Sequence, residues 1–107
     1  MRVLLDECLP KRLAKQIVGH EVHTVAELGW SGKKNGELLS LTAANNFQVF
    51  LTGDQNLRYQ QNLATADVAV IVLGAATNRL EDLLPLMPAL LLALENINKG
   101  ELKEIRL

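Results

Sequence analysis

The sequence predicts an α/β domain in which a mostly parallel sheet of about four to five strands lies between two layers of helices. Two observations support this fold class. Short β-branched runs alternate with longer segments of helical periodicity, and one run, Val68–Leu73, is apolar at nearly every position. Such runs are typical of strands that are buried on both faces. The length of 107 residues predicts one domain, 1–107.

The strands are predicted from short apolar runs that end at turn residues. They are Arg2–Leu5, Val22–Val25, Val49–Thr52, Val68–Leu73 and a final edge strand, Leu102–Leu107.

The helices are predicted from the spacing of leucines and from residues that start or stop helices. A first helix begins at Pro10 and closes at Gly19-His20, and a second carries Leu38, Leu41 and Ala44 on one face. A short helical stretch reaches Asn62, and the longest helix spans Asn78–Asn98. Pro85 and Pro88 predict a kink in that last helix, or two helices in succession, because proline lacks a backbone donor.

Composition excludes several classes of protein. A hydrophobic fraction of 49% with 21% charged residues excludes a disordered tail, and a net charge of −1 argues against a strongly basic nucleic-acid binder. The single cysteine excludes an internal disulfide and fits a reducing compartment. Carboxylates follow the N-terminus too soon for a signal peptide, and no apolar run approaches the ~20 residues of a membrane span. We therefore expect a cytoplasmic protein without membrane contact.

Acidic residues gather at one predicted edge of the sheet. Asp6 and Glu7 follow the first strand, Asp54 follows the third, and Glu37 begins the helix after the second. Ligands of open parallel sheets bind at the carboxyl ends of the strands, where the strand order reverses. Oxygen ligands without histidine or cysteine favour Mg²⁺ or Mn²⁺, which assist phosphoryl chemistry. Each acid also suits a purely structural role, because helix starts attract carboxylates.

The opening segment resembles the LLDENLP start of small bacterial PIN-like proteins, relatives of the PIN nucleases that act as toxins in toxin–antitoxin pairs. It reads Leu4-Leu5-Asp6-Glu7-Cys8-Leu9-Pro10. A second segment is similar to the LLTxDxDF signature of that family and reads Phe50-Leu51-Thr52-Gly53-Asp54-Gln55-Asn56-Leu57. Weaker similarities cover most of the remaining chain.

The resemblance implies a PIN-like fold and a ribonuclease that depends on Mg²⁺ or Mn²⁺. It implies that Asp6, Glu37 and Asp54 are catalytic metal ligands, with Glu7 and Asn56 in support. Three positions depart from the family pattern: Cys8 replaces asparagine, and Asn35 and Asn56 replace acids. Because the lost acids weaken the metal site, a degenerate relative that only binds a partner is the alternative. A cognate antitoxin or a second copy of the chain is then the expected partner.

Basic residues are expected to rim the same edge and to contact the phosphate backbone of RNA. They form two clusters, Lys11, Arg12 and Lys15 on the first helix and Lys33 and Lys34 before Glu37. The alternative is that the clusters are simply a solvated helix face and a polar loop. Trp30 either stacks on a base or covers the core, whereas the two histidines and Cys8 are expected to be structural.

A receiver domain that accepts a phosphoryl group is a further alternative, because it also places acids after its first and third strands. It requires a lysine at the carboxyl end of the last strand, whereas Lys103 opens that strand here.

Overall fold

The computed structural model describes residues 1–57 and 67–106. Within these residues a five-stranded, all-parallel sheet has the order β2-β1-β3-β4-β5. Its strands are β1 (Arg2–Leu5), β2 (Glu21–Thr24), β3 (Val49–Thr52), β4 (Ala69–Gly74) and β5 (Leu102–Arg106). The predicted parallel sheet is confirmed, and the bounds of β2 and β4 differ from the prediction by one residue.

Helices cover both faces of this sheet. A 3₁₀ helix, Lys11–Gln16, connects β1 to β2, and α1 (Asn35–Ala44) connects β2 to β3. After β4 come α2 (Leu80–Leu83), a short 3₁₀ helix (Leu84–Leu86) and α3 (Met87–Asn96). The prolines therefore divide the predicted long helix, as expected. The first helix is wound as a 3₁₀ helix, a form that proteins use in short connections.

Two apolar clusters show which helices pack on which face. Val3 and Leu5 of β1 belong to a cluster with Leu13 of the 3₁₀ helix and Leu90 of α3. Leu4 points to the opposite face and belongs to a second cluster, shared with Leu38 of α1 and with Phe47 and Phe50. This alternation along β1 is the two-residue period of a strand whose two faces are both buried. The three-layer α/β/α arrangement is thus confirmed.

Some predictions fall outside the described residues. The predicted short helical stretch extends beyond Leu57 into residues that the structure does not describe, and Leu107, the last residue of the predicted edge strand, is also outside the described residues. In the part of the chain that the structure describes, no helix is long and apolar enough to cross a membrane.

The strand order positions the candidate site. From β1 the chain passes to β2 on one side, whereas β3 lies on the other side of β1. Parallel sheets with this reversal open a crevice between the two strands at which the order reverses, here β1 and β3, at their carboxyl ends. The residues that follow β1 and β3 therefore meet there.

Candidate functional site

Asp6 and Asp54 line one cavity of about 400 Å³ at the carboxyl ends of β1 and β3. Asp6 directly follows β1, and its backbone N–H donates a 2.9 Å hydrogen bond to the carbonyl oxygen of Leu51. The β1–β3 ladder therefore continues one residue past the strand and fixes the position of Asp6. Asp54 lies two residues beyond β3 on the neighbouring strand. The structure therefore places both acids at the switch point of the sheet.

The hydroxyl group of Thr52 holds both acidic segments. Thr52 is fully buried, and its Oγ1 donates a 2.7 Å hydrogen bond to Oδ2 of Asp6. The same oxygen accepts a 3.1 Å hydrogen bond from the backbone N–H of Asp54. Asp6 is only 7% exposed, so this donor and the backbone N–H of Glu7, which donates a 2.8 Å bond to Oδ1, together offset part of the cost of burying the carboxylate. One neutral side chain thus orients the Asp6 carboxylate and the turn that carries Asp54.

Amide groups complete the surroundings of Asp54. Oδ2 of Asp54 accepts a 3.0 Å hydrogen bond from Nδ2 of Asn35, the first residue of α1. Oδ1 accepts a 2.9 Å bond from the backbone N–H of Asn56. Asn56 therefore supports the Asp54 carboxylate through its main chain.

Glu7 and Cys8 line the same cavity. Oε1 of Glu7 accepts a 3.0 Å hydrogen bond from the backbone N–H of Gly32, which ties the segment after β1 to the loop before α1. The Cys8 thiol was expected to serve packing, but it faces the cavity and accepts a 3.3 Å hydrogen bond from the N–H of Gly53. Burial, reinforced by the nearby Asp6 carboxylate, raises the pKa of the Cys8 thiol.

Glu37 is not brought to the two aspartates. It lies in the first turn of α1, where its Oε2 is 3.7 Å from Nζ of Lys33. Its side chain is 61% exposed, and Asn35 occupies the cavity wall on the α1 side. Within residues 1–57 and 67–106, no three acidic, histidine or cysteine side chains are grouped closely enough to hold a metal ion. The described residues thus form no three-carboxylate centre.

The basic residues separate into two sets. Lys33 lines the carboxylate cavity, whereas Lys34 precedes α1 and contributes to neither cavity of this edge. Lys11, Arg12 and Lys15 line a different cavity, beside the end of β2.

The aromatic ring of Trp30 covers the core. It meets Phe47 edge to face with ring centroids 6.4 Å apart, and the indole packs against the second apolar cluster. His23 is structural, as expected: its ring bonds Glu21 at 2.7 Å and Glu27 at 3.2 Å. These carboxylates raise the pKa of His23.

Sequence reasoning missed two residues of the site. The signal for Thr52 was present, because it is the polar end of an otherwise apolar strand. Asn78 comes from the loop after β4, and its amide lies directly over Gly53. A Cβ atom added to Gly53 would approach Oδ1 of Asn78 to 2.7 Å. No motif in the sequence connects Asn78 with the acids.

Comparison with known proteins identifies a family that the chain matches. A protein-family model described as PIN like domain matches residues 1–74. The matched segment runs from the N-terminus to the last residue of β4 and contains Asp6, Glu37 and Asp54. No curated protein and no solved structure matches the chain.

Proposed function

Because the chain belongs to the PIN-like domain family, we propose that it is a ribonuclease that depends on Mg²⁺ or Mn²⁺. The observation that carries this proposal is the shared cavity of Asp6 and Asp54 at the switch point of the sheet. A buried carboxylate and a second carboxylate facing the same space form an acidic pocket, which attracts a divalent cation.

The donor set fits one hard cation. Mg²⁺ commonly binds through one or two carboxylates and keeps several water molecules, so a third acid is not required. Asp6 and Asp54 would supply the carboxylate oxygens, and Asn35 and Asn78, which carry amide oxygens, line the same cavity. The raised pKa of the Cys8 thiol disfavours the thiolate that a soft metal would select. When bound, the cation would supply charge stabilisation and a more acidic water.

The residues of the chain would perform the remaining tasks. Thr52 keeps the Asp6 carboxylate in one orientation, because the hydroxyl donates to Oδ2. Lys33 would place a positive charge at the cavity rim, where a phosphodiester approaches, and Glu37 would hold the ammonium group through its ion pair. We assign Glu37 to this positioning role in place of direct metal binding.

The test compares wild-type protein with Asp54→Asn and Glu37→Gln in titration calorimetry with Mn²⁺ and in cleavage of a labelled single-stranded RNA. Glu95→Gln is the matched control, because it removes an exposed acid from α3. We expect Asp54→Asn to abolish both the binding heat and cleavage. Glu37→Gln should keep the binding heat and weaken cleavage. Equal heats and equal cleavage for wild type and Asp54→Asn would overturn the proposal.

Two observations favour a second function, that of a degenerate relative that binds a partner. Asn35 and Asn56 stand beside Asp54 where the resembling family carries acids, and no third acidic group completes a metal centre among the described side chains. A degenerate relative that binds a partner would show no Mn²⁺ heat and no cleavage while remaining folded.

The family resemblance also extends our proposal to the toxin of a toxin–antitoxin pair. Expression of the wild type would then arrest growth, and Asp54→Asn would relieve the arrest.

A further inference from the structure

A second cavity, of about 350 Å³, lies between the 3₁₀ helix and the carboxyl end of β2. Three cationic side chains line it: Lys11, Arg12 and Lys15. Its remaining lining residues are Ala14, Thr24 and Glu27.

The 3₁₀ winding of the helix explains why its three cationic side chains line one cavity. In a 3₁₀ helix the side chains at positions i and i+3 lie directly above one another. Arg12 and Lys15 therefore share one side of the helix, and Lys11 shares its side with the small residue Ala14. Leu13 is buried in the first apolar cluster, so the helix is anchored and its cations face outward. A methyl group at Ala14 leaves room for a ligand between the longer side chains.

Three cations and one carboxylate line this cavity, which leaves it a net positive charge. Within the residues that the structure describes, none of the three cations forms an ion pair. The one carboxylate in the lining, Glu27, is already engaged. Its Oε2 is 3.2 Å from Nδ1 of His23, and its Oε1 accepts a 2.6 Å bond from the backbone N–H of Thr24. Three cations around one concavity raise the local positive potential, which attracts an anion.

The cavity lies on the same edge of the sheet as the carboxylates. Thr24 is the last residue of β2 and pairs with Leu5 of β1. Asp6, the next residue along the chain, lines the carboxylate cavity. The 3₁₀ helix begins only a few residues later, so the two cavities flank the segment that follows β1.

We propose that this second cavity binds a backbone phosphate of a single-stranded polynucleotide whose scissile phosphate lies at the carboxylate cavity. The identity of the ligand rests on the proposed function. The cations of the second cavity would bind one phosphate of the strand electrostatically, while the carboxylates would act on a neighbouring phosphodiester. Removal of the cations should therefore weaken binding of the strand and leave the metal site intact.

The experiment measures binding of a labelled single-stranded RNA of about 12 nucleotides. Fluorescence anisotropy without divalent metal, over a range of salt concentrations, gives the affinity and its salt dependence. The variant is Arg12→Gln/Lys15→Gln, whose side chains are exposed and whose loss leaves the core intact. The control is Lys99→Gln, which removes an exposed cation that lies with Met1 at the opposite edge of the sheet.

The double variant should flatten the salt dependence. Each phosphate contact with a single strand contributes about −0.7 to the slope of log affinity against log salt, so two lost contacts reduce the slope by about 1.4. Lys99→Gln should leave the slope unchanged. An unchanged slope in the double variant overturns the phosphate site. A nucleoside monophosphate that binds as tightly as the RNA overturns the assignment to a polynucleotide.

Failure of this inference is separable from failure of the proposed function. Asp54→Asn should abolish cleavage and keep the wild-type salt slope, because it leaves the second cavity unchanged. A wild type that never cleaves RNA, with a slope that drops in the double variant, refutes the nuclease proposal and supports the phosphate site. Cleavage that requires Asp54, with a slope that does not depend on Arg12 and Lys15, supports the nuclease and refutes the phosphate site.

Discussion

Substitution of Thr52 by valine tests whether one hydroxyl group organises the candidate site. Valine has nearly the same shape as threonine, so the buried β3 position stays filled. The hydroxyl loses the 2.7 Å bond to Oδ2 of Asp6, the 3.1 Å bond from the N–H of Asp54 and a 3.6 Å contact with the Cys8 thiol. Because Asp6 is 7% exposed, its carboxylate can recover little hydration from solvent.

Thr52→Val should lower the stability of the protein considerably. A hydrogen bond to a charged group contributes about 1.5–3 kcal/mol to stability, and a neutral one about 0.5–1.5 kcal/mol. We therefore expect Thr52→Val to lower the free energy of unfolding by about 2–4 kcal/mol. The matched control is Thr52→Ser, which keeps the hydroxyl and loses one methyl group, at a cost of about 1 kcal/mol.

Urea denaturation followed by circular dichroism measures both variants. Valine should lower the midpoint more than serine, with an unchanged dependence on urea, because the unfolded state is the same. The Mn²⁺ binding heat should fall in the valine variant and survive in the serine variant. A valine variant at least as stable as the serine variant would show that the hydroxyl does not hold these acids, and the proposed organisation of the site would be wrong.

The other predictions concern pH dependence and the orientation of α3. The carboxylates beside His23 raise its pKa, so the protonated ring should add stability that is complete below about pH 6.5. That stability should disappear as pH rises through the raised pKa. His23→Gln should flatten unfolding free energies measured across this range, and an unchanged profile would contradict the assignment. Leu90→Ala should cost about 2–5 kcal/mol, because Leu90 is fully buried. Leu92→Ala should cost about 0.5 kcal/mol, because Leu92 is 62% exposed. Equal losses of stability for the two variants in urea denaturation would refute this orientation of α3.

The fold was predictable because its signals are local and mutually consistent. Continuous apolar runs identified the buried strands, and Pro85 and Pro88 marked the division between α2 and α3. The winding of the first helix was not predictable, because Leu13 and Ile17 suit an α-helix and a short 3₁₀ helix alike. Because β1 and β3 are neighbours in the sheet, the residues that follow them, Asp6 and Asp54, meet at its carboxyl edge.

The details of the site depend on side-chain directions, which the sequence does not encode locally. Glu37 lies on the expected helix, yet its carboxylate is turned toward Lys33, one helical turn away. Asn35, the first residue of α1, lines the cavity instead of Glu37, because its side-chain amide donates a hydrogen bond to Asp54. Asn78 arrives from a loop after β4 whose course is fixed only by tertiary packing.

The hydrogen bonds around the two aspartates suggest how this site assembles without a cation. Carboxylates that share a cavity repel each other, and an additional acid at the Asn35 position would add to that repulsion. The Asn35 amide instead donates to Asp54, and the Thr52 hydroxyl donates to Asp6, so neutral groups offset part of the negative charge. Such a pocket folds with less dependence on metal than a four-acid pocket does. Its affinity for a cation should be correspondingly weaker, because fewer negative charges attract the ion. Under the proposed strand binding at the second cavity, the neighbouring phosphodiester at the carboxylate cavity would bring further oxygen ligands to a cation there and would compensate for the missing acids.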